Sequence, residues 1–590
     1  MSAEDKLVPI KVFDPRVVFQ PHVYPVISSG RIVEYRQTQT QNISSSSMGF
    51  SIIPVGDNVY VDRKMHLQAP VRLTLTASGV VSPLGANARL LNPHQCCLRA
   101  YPLNQAMDSL SVTINNNAVS SQPNYYTSAM TQYNVSERVK DREFSKCPTL
   151  GAQSQDFEDL FGSNRSQMAM YGDGYGEENT NFPFTIVSQT NDGAGNLVSV
   201  IDFVSCEPLF LSPLLWGKGN SSALRGIRNI DIQCNFVGGA ANRMIAIDRI
   251  SSGVDFTVTG WNTQVQFNNF SPPFSYPDNQ PKMLVNYITP EITDQASINN
   301  RLLVFPMTQI DPFLTDLPPI AAGASSVAVS NQVQMAQIPN RMYIYLRDNN
   351  ATLQASPFIP DSFLAITNMS INWGDLGTVL SSASQRQLYD LCVENGYVGN
   401  FQSWSGEKIN KPALSTNGFG TAAQQYSGVG SVVALSPSQL GLNAVQAPGK
   451  AQQFSIQVNV TYKNVSSRTI TPTMYVVMIS SGIFSLYNGQ AGVNIGVLTS
   501  EMIFNAERQT GQMMLTFNDI QRVYGGDFFD SLKSGLSKVW NFLKPVVKVA
   551  APALTAAFAP EFAPAVGALV SGLGHGGKKM TKSQLKRNMY

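Results

Sequence analysis

Apolar and polar residues alternate with a period of two along most of the chain, as far as about residue 500. Because successive side chains of a strand point to opposite faces, each run predicts a strand with one buried face and one face that meets solvent or a partner. Gly and Pro separate the runs as turns, so antiparallel β-sandwiches are predicted rather than βαβ units. The clearest apolar faces are Val71, Leu73, Leu75 and Ala77; Leu110, Val112 and Ile114; Ile230, Ile232, Cys234 and Phe236; Met342, Ile344 and Leu346; and Phe454, Ile456, Val458, Val460 and Tyr462.

Few segments of this region have helical periodicity. Residues 381–395 predict a helix with Leu388, Leu391 and Cys392 on one face. Asn395-Gly396 predicts its C-terminal cap, because glycine tolerates the left-handed conformation required there. A second short helix is predicted near residues 124–133.

The charged fraction is only 14%, against about 25% in an ordinary soluble domain. This composition excludes a charge-driven disordered chain, a coiled coil and a highly charged nucleic-acid binder. Asn, Gln, Ser and Thr supply the polar residues instead. Neutral polar groups cost less to desolvate than unpaired ions, so the composition suits a protein whose surface is largely covered by other protein.

Signals for chemistry are weak. The six cysteines contain no Cys-x-x-Cys pair and the four histidines are scattered, so neither a disulfide framework nor a metal site is predicted. No cofactor site is predicted, and no Ser/His/Asp or Cys/His set indicates an enzyme. The first residues lack the apolar core of a signal peptide, which favours a reducing, intracellular setting.

Two short motifs recur at one spacing. Leu211-Ser212-Pro213 matches Leu435-Ser436-Pro437, and Ile232–Asn235 matches Ile456–Asn459, in both cases 224 positions later. A weaker match joins residues 112–115 to 369–372, each followed by a candidate helix. The repeat predicts two similar β-sandwiches in tandem. The predicted division is an N-terminal arm over 1–48, sandwiches over 49–275 and 276–526, and a tail over 527–590.

Four segments resemble the double jelly-roll major capsid proteins of virophages and polinton-like viruses. They are Phe210–Trp216, Ile338–Tyr345, Gln387–Asp390 with Val393–Tyr397, and Thr471–Val477. The resemblance covers about residues 60–525 and implies an all-β chain of two eight-stranded jelly rolls side by side. It also implies a homotrimer that serves as a pseudo-hexagonal tile of an icosahedral DNA-virus shell, as in the adenovirus hexon lineage. Neighbouring capsomers, penton and minor capsid proteins and a maturation protease are the implied partners.

The periodicity changes to helical after Gly526. The apolar residues Phe529, Leu532, Leu536, Val539, Trp540 and Leu543 lie on one side of a predicted helix, with lysines on the other. Such a cationic amphipathic helix suits an anionic membrane surface, a groove of the capsid interior, or packing on its own chain. Three prolines and a carboxylate in the following Ala/Pro-rich stretch argue against a membrane-spanning helix.

Two further features of the tail each allow two interpretations. Gly525, Gly526 and Asp527 resemble a site for an adenovirus-type maturation protease, and a two-glycine hinge is the other interpretation. The basic end, with Lys578, Lys579, Lys582, Lys586 and Arg587, suits contact with genome DNA. An ordinary solvated terminus would have the same composition.

Taken together, these features predict a structural protein of a virion, the major subunit of its capsid. Two other classes remain as alternatives. One is a carbohydrate-binding or carbohydrate-cleaving β-sandwich protein, for which Asp156, Glu158 and Asp159 are the candidate carboxylates. The other is a membrane-active protein that acts through the C-terminal helix.

Overall fold

The computed structural model contains two compact units, 1–526 and 527–590, and every residue that it describes belongs to the first. The described residues are 26–38, 43–54, 59–78, 96–99, 101–130, 132–133, 184–191, 195–214, 223–224, 226–247, 250–251, 254–255, 260–274, 279–291, 303–335, 338–357, 359, 361–373, 376–397, 399, 401–406, 409–411, 424–426, 429–440, 454–466, 468–487 and 489–495.

Strands dominate the described part of the chain. Those of the first half are β1 Val26–Thr38, β2 Ser47–Ile52, β3 Tyr60–Ser78, β4 Cys96–Leu98, β5 Met107–Ile114, β6 Asn117–Ser121, β7 Thr185–Asn191, β8 Leu197–Pro208, β9 Ile230–Phe236, β10 Ile245–Ile247, β11 Ile250–Ser251, β12 Val254–Asp255, β13 Gly260–Gln266 and β14 Lys282–Glu291. Those of the second half are β15 Leu303–Asp316, β16 Ser325–Val329, β17 Val333–Met335, β18 Arg341–Asp348, β19 Ala365–Trp373, β20 Leu376–Val379, β21 Ile409–Lys411, β22 Gln424–Tyr426, β23 Val432–Leu435, β24 Phe454–Lys463, β25 Pro472–Tyr487 and β26 Gln490–Ile495.

The helices are short and lie between strands. They are α1 Pro102–Ala106, α2 Pro123–Met130, α3 Ala240–Met244, α4 Asn350–Ala355, α5 Gln385–Glu394 and α6 Phe401–Ser405, with a 3-10 turn over Pro437–Leu440.

The main sheets form two sandwiches with the same strand order. In the first, one sheet is β1-β14-β3-β8-β7 and the other is β2-β9-β5-β6; β13 also pairs with β3. In the second, the sheets are β15-β25-β18-β23 and β16-β24-β19-β20; β26 also pairs with β25, and β17 with β24. Strand by strand, β1, β14, β3 and β8 correspond to β15, β25, β18 and β23. In the other sheets, β2, β9, β5 and β6 correspond to β16, β24, β19 and β20. Eight strands of each half therefore correspond, which confirms the prediction of two jelly rolls, and β7, β13, β17 and β26 extend their sheets.

The internal repeat has a structural basis. Residues 232–235 lie in β9 and residues 456–459 in β24, which occupy the same place in their sheets. The weaker match also has a structural basis, because β5 and β19 occupy the same place in their respective sheets. In each half the next hairpin strand leads into a helix, α2 or α5. Alternating side chains such as Val71, Leu73 and Leu75 are fully buried between the sheets. Each buried residue of this size contributes about 1.5–3 kcal/mol.

Local signals account for the turns and for α5. Asn115 has a φ of 55°, the left-handed conformation that asparagine adopts more readily than most residues, and it begins the β5–β6 turn. Helix α5 begins later than predicted, at Gln385, because Ser384 is its N-cap and forms a capping box with Gln387. The predicted cap at Gly396 is confirmed by a φ of 91°.

Strand pairing crosses two of the predicted boundaries. Strand β1 lies within the segment assigned to the arm, yet it pairs with β14 along most of its length. Strand β14 lies within the segment assigned to the second sandwich, yet it pairs with β3 of the first. Both are strands of the first jelly roll, and their partners are too distant in sequence to be recognised from alternation alone.

Both faces of strand β18 are buried, whereas its alternation predicted one buried face and one open face. Met342, Ile344 and Leu346 face the core of their own sandwich, and Tyr343 and Tyr345 on the opposite face are buried as well. This second face is covered by residues of the first half of the chain.

Candidate assembly interface

Helix α2 of the first jelly roll packs on the outer face of β18 in the second. The Tyr345 hydroxyl donates to the carbonyl oxygen of Tyr125. The Arg347 guanidinium donates to the carbonyl oxygen of Asn124 at 2.8 Å and to Ser128 Oγ at 3.1 Å. Because Arg347 is only 1% exposed, these bonds are made where water does not compete.

Aromatic rings extend this contact. Tyr345 stacks on Tyr475 with 4.9 Å between ring centroids, and the Arg347 guanidinium lies 4.8 Å from the Tyr475 ring centroid. Tyr133 makes edge-to-face contacts with Tyr343 and Tyr397, at 5.1 and 5.5 Å. Such pairs contribute about 0.5–1.5 kcal/mol each beyond their burial.

The second jelly roll in turn completes the core of the first. Phe484 and Leu486 pack in the first hydrophobic core. The β5–β6 turn binds the β25–β26 hairpin through amide side chains: Asn115 Nδ2 donates to the carbonyl oxygen of Gly489 at 2.8 Å, and Asn117 Nδ2 to that of Ala491 at 3.0 Å. Each half thus supplies part of the other's core.

A buried cluster of charges lies at the same junction. Asp361 accepts from Arg99 at 2.8 Å and from Arg243 at 2.5 Å, and all three side chains are at most 3% exposed. Although burial opposes ionisation of Asp361, Arg243, Arg99 and Arg347 hold its pKa well below the usual range. Arg99 also donates to the carbonyl oxygens of residues 242, 245, 357 and 359. It therefore ties segments of both jelly rolls together.

The described residues cover the outer face of the first jelly roll's sheet less completely. His66 pairs with Pro208 in the first sheet, and Tyr345 pairs with Val432, 224 positions after Pro208, in the second. His66 and its neighbour Leu284 therefore occupy the positions that Tyr345 and Tyr475 hold in the second sheet. The two tyrosines are buried, whereas His66 and Leu284 are only half-buried. Burial, with Lys64 nearby, lowers the pKa of His66, so that its ring is uncharged at neutral pH.

Helix α5 also presents an uncovered face. Leu388 and Cys392 point inward and are fully buried. On the opposite side, Asp390 has 55% of its side chain exposed and Val393 is 45% exposed. Glu394, next to them, is exposed as well.

The residues predicted as sites from the sequence lie outside the described residues. These are the cleavage residues Gly525, Gly526 and Asp527; the helix residues Phe529, Leu532, Leu536, Val539, Trp540 and Leu543; and the basic residues Lys578, Lys579, Lys582, Lys586 and Arg587. The carboxylates Asp156, Glu158 and Asp159 lie outside them too. The interface residues above were missed from the sequence, although the alternation of Tyr343, Tyr345 and Arg347 in β18 was a signal for a second buried face.

The described residues contain no group of three or more His, Cys, Asp or Glu side chains placed to hold a metal ion. Nor does any helix among them combine the length and apolar character needed to cross a membrane. Cys234 and Cys392 are free thiols, and burial raises their pKa values to about 12 and about 11. Both therefore behave as small core side chains.

Two family models match the chain. The model described as the Sputnik virophage major capsid protein 1st domain matches residues 7–287. The model described as the major capsid protein V20 C-terminal domain matches residues 314–482. A curated relative, the putative capsid protein V20 of Sputnik virophage, is 28% identical, and the match covers 98% of each chain.

Solved structures of two virophage proteins share the fold. A chain of the Sputnik virophage structure determined by cryo-EM has a TM-score of 0.68 at 24% identity, and the match covers 85% of this chain and 96% of that one. The crystal structure of the mavirus major capsid protein has a TM-score of 0.57 at 15% identity, and the match covers 85% and 97%.

Proposed function

This chain belongs to the virophage family of double jelly-roll major capsid proteins, structural proteins of the virion, and on that premise we propose that three copies close into a trimer that tiles the shell. Three chains of two jelly rolls each would form a ring of six similar units, a pseudo-hexagonal capsomer. The role is mechanical, and we propose no enzymatic activity for the chain.

The interface within the chain carries this proposal. It is heterologous: a helix of the first jelly roll covers a sheet face of the second, and the two surfaces are different. A heterologous contact that repeats with the same rotation closes into a ring when that rotation divides a full turn, and otherwise gives an open filament. The free partners for the next contact are the exposed side of α5 on the second jelly roll and the outer sheet face of the first.

The chemistry of these two surfaces is complementary. Lys64 borders the outer face of the first sheet, and Leu284 supplies an apolar centre. Helix α5 presents the carboxylates of Asp390, which is paired with Arg386 at 3.2 Å, and of Glu394, with Val393 between them, so that one negative charge is in excess. Opposite charges around an apolar centre favour one orientation of docking. We therefore assign α5 of one copy to the first sheet of the next.

The same reasoning sets the limits of the jelly rolls. We propose that the first extends from about β1 to β14 and the second from about β15 to β26. The two family models agree with this division, since one ends at residue 287 and the other begins at 314.

For the tail we propose an interior position. Its 64 residues, 527–590, hold nine Lys or Arg residues and three acidic ones, a charge that suits genome DNA or an anionic membrane inside the shell. Cleavage after Gly526 by a maturation protease would release it. Mass spectrometry of purified particles tests cleavage: a chain that ends at Gly526 supports it, and full-length chain alone in mature particles refutes it.

The trimer is tested by size-exclusion chromatography with light scattering on the full chain. We expect the wild type to have the mass of three copies. The Leu284→Glu variant should have the mass of one copy, because its carboxylate would be buried at the interface. The matched control is Ser120→Glu, an exposed position on β6 of the other sheet of the same jelly roll. A wild type that stays monomeric, or a Leu284→Glu variant that stays trimeric, contradicts the proposal.

A charge-reversal pair tests the docking orientation separately. Lys64→Glu and Asp390→Lys should each weaken the trimer, and the double variant should recover part of the loss. Failure of the double variant to recover any trimer would reject the assigned contact even if the wild type is trimeric.

A further inference from the structure

Positive charge exceeds negative charge inside the junction between the two jelly rolls. Arg99, Arg243 and Arg347 are 1–3% exposed, and Asp361 is the carboxylate that they share. Three guanidinium groups and one carboxylate leave two positive charges in excess. A second buried carboxylate, Asp348, does not change this excess, because it is paired with the additional guanidinium of Arg468.

The charges of this cluster persist at neutral pH. Burial, together with Arg99 and Arg347, lowers the pKa of Arg243 to about 10 although Asp361 opposes the shift. Arg243 is still protonated at pH 7, three units below that value. The junction therefore holds buried cations without an equal number of anions, an arrangement that is costly in a medium of low dielectric constant.

Three N–H donors of the cluster have no hydrogen-bond partner among the described residues. They are on Arg243 Nη1, Arg347 Nε and Gln105 Nε2, and all three side chains are at least nine-tenths buried. The Gln105 amide is placed beside Arg243, because its Oε1 accepts from Arg243 Nη2 at 3.1 Å. Leaving a buried donor unpaired costs about 1–3 kcal/mol, more when the donor is charged.

We propose that the junction binds one small monovalent anion, chloride in a cell, between Arg243, Arg347 and Gln105. The anion would accept from these donors and offset part of the excess positive charge. Gln105 and Arg243 belong to the first jelly roll and Arg347 to the second, so the ion would join the two halves. This site lies within one chain and is independent of trimer formation.

A water molecule is the competing occupant. Among the described residues, two buried acceptors near Arg347 also lack a partner, the side-chain oxygen of Asn124 and Asp348 Oδ1. Water could donate to these oxygens, whereas a halide cannot. Only a bound anion would make the melting temperature depend on the identity of the salt, and this distinguishes it from water.

The first experiment measures the melting temperature of the full-length chain while sodium chloride replaces sodium gluconate at constant ionic strength. We expect a saturating rise with chloride concentration, as for a ligand that binds the folded state, and the same rise at different protein concentrations. The control Lys463→Gln, at an exposed ammonium group on β24, should keep the response, and Gln105→Leu should lose most of it. A melting temperature that is equal at all chloride-to-gluconate ratios overturns the proposal.

A second experiment needs no variant. Crystals of the wild type grown in sodium bromide should show an anomalous scattering peak between Arg243 and Arg347. Density at that position without an anomalous signal would identify water and overturn the proposal.

Discussion

The buried ion pair between Arg72 of β3 and Asp202 of β8 offers a sharp test of how this fold tolerates charge. Arg72 Nε lies 2.6 Å from Asp202 Oδ1, and Arg72 Nη2 lies 2.7 Å from Oδ2. The side chains are 3% and 0% exposed. Arg72 also donates to the carbonyl oxygen of Pro272 at 2.9 Å and lies over the Phe270 ring.

Removing one charge of the pair should lower the free energy of unfolding far more than replacing both charged residues with apolar ones. Asp202→Asn keeps the shape of the side chain but leaves a buried guanidinium without its counter-charge, which costs about 3–5 kcal/mol. The contacts of Arg72 with Pro272 and Phe270 remain, so we expect a value near 3 kcal/mol. The double variant Arg72→Met with Asp202→Leu removes both charges and should lie within about 1 kcal/mol of the wild type.

Urea unfolding measures these differences. The transition is followed by tryptophan fluorescence, since Trp261 lies on β13 beside β3, and by circular dichroism to test whether the two probes coincide. Lys463→Gln is the control, because Lys463 is exposed on β24 and this change should alter the free energy of unfolding by at most about 0.5 kcal/mol. The reasoning fails if Asp202→Asn costs less than about 1 kcal/mol, or if the double variant loses as much as the single one.

Three other predictions rest on single positions. Gly430→Ala should lower the free energy of unfolding by about 2–4 kcal/mol, because Gly430 has a φ of +92° and an added Cβ would lie 1.8 Å from the carbonyl oxygen of Phe363; Gly238→Ala, with no atom within 4 Å, should melt like the wild type. Ser384→Ala removes the N-cap of α5 and should cost about 1 kcal/mol in chemical denaturation. Burial raises the pKa of Glu207, so its contribution to stability is present below its unfolded pKa and is lost as pH rises through the folded value; stability measured against pH should fall across that window, and a flat profile would contradict the shift.

Local chemistry made some parts of the proposed assembly surface predictable. The helix that carries Asp390 and Val393 follows from its apolar spacing and its caps, which involve residues three or four apart. The burial of Tyr345 and Arg347 does not follow in this way. Their partners on α2 are about 220 residues away, and nothing near β18 in the sequence shows that its second face is covered.

The charged junction was the least predictable part. Arg99 and Asp361 are 262 residues apart, and neither is preceded by a motif. In a chain with few charges, such residues look like ordinary surface positions. Only the approach of two jelly rolls removes water from them and turns scattered charges into a cluster.

By itself the sequence determined the β-sandwich class, the duplication at a spacing of 224 residues and the family, because period-two alternation and short motifs are written in neighbouring residues. The tertiary structure decided which strands share a sheet, that β14 pairs with β3 in the first jelly roll, and which sheet faces the described residues bury. Strand pairing and the exclusion of water depend on contacts between residues far apart in the chain, and alternation carries no information about which partner a strand will meet.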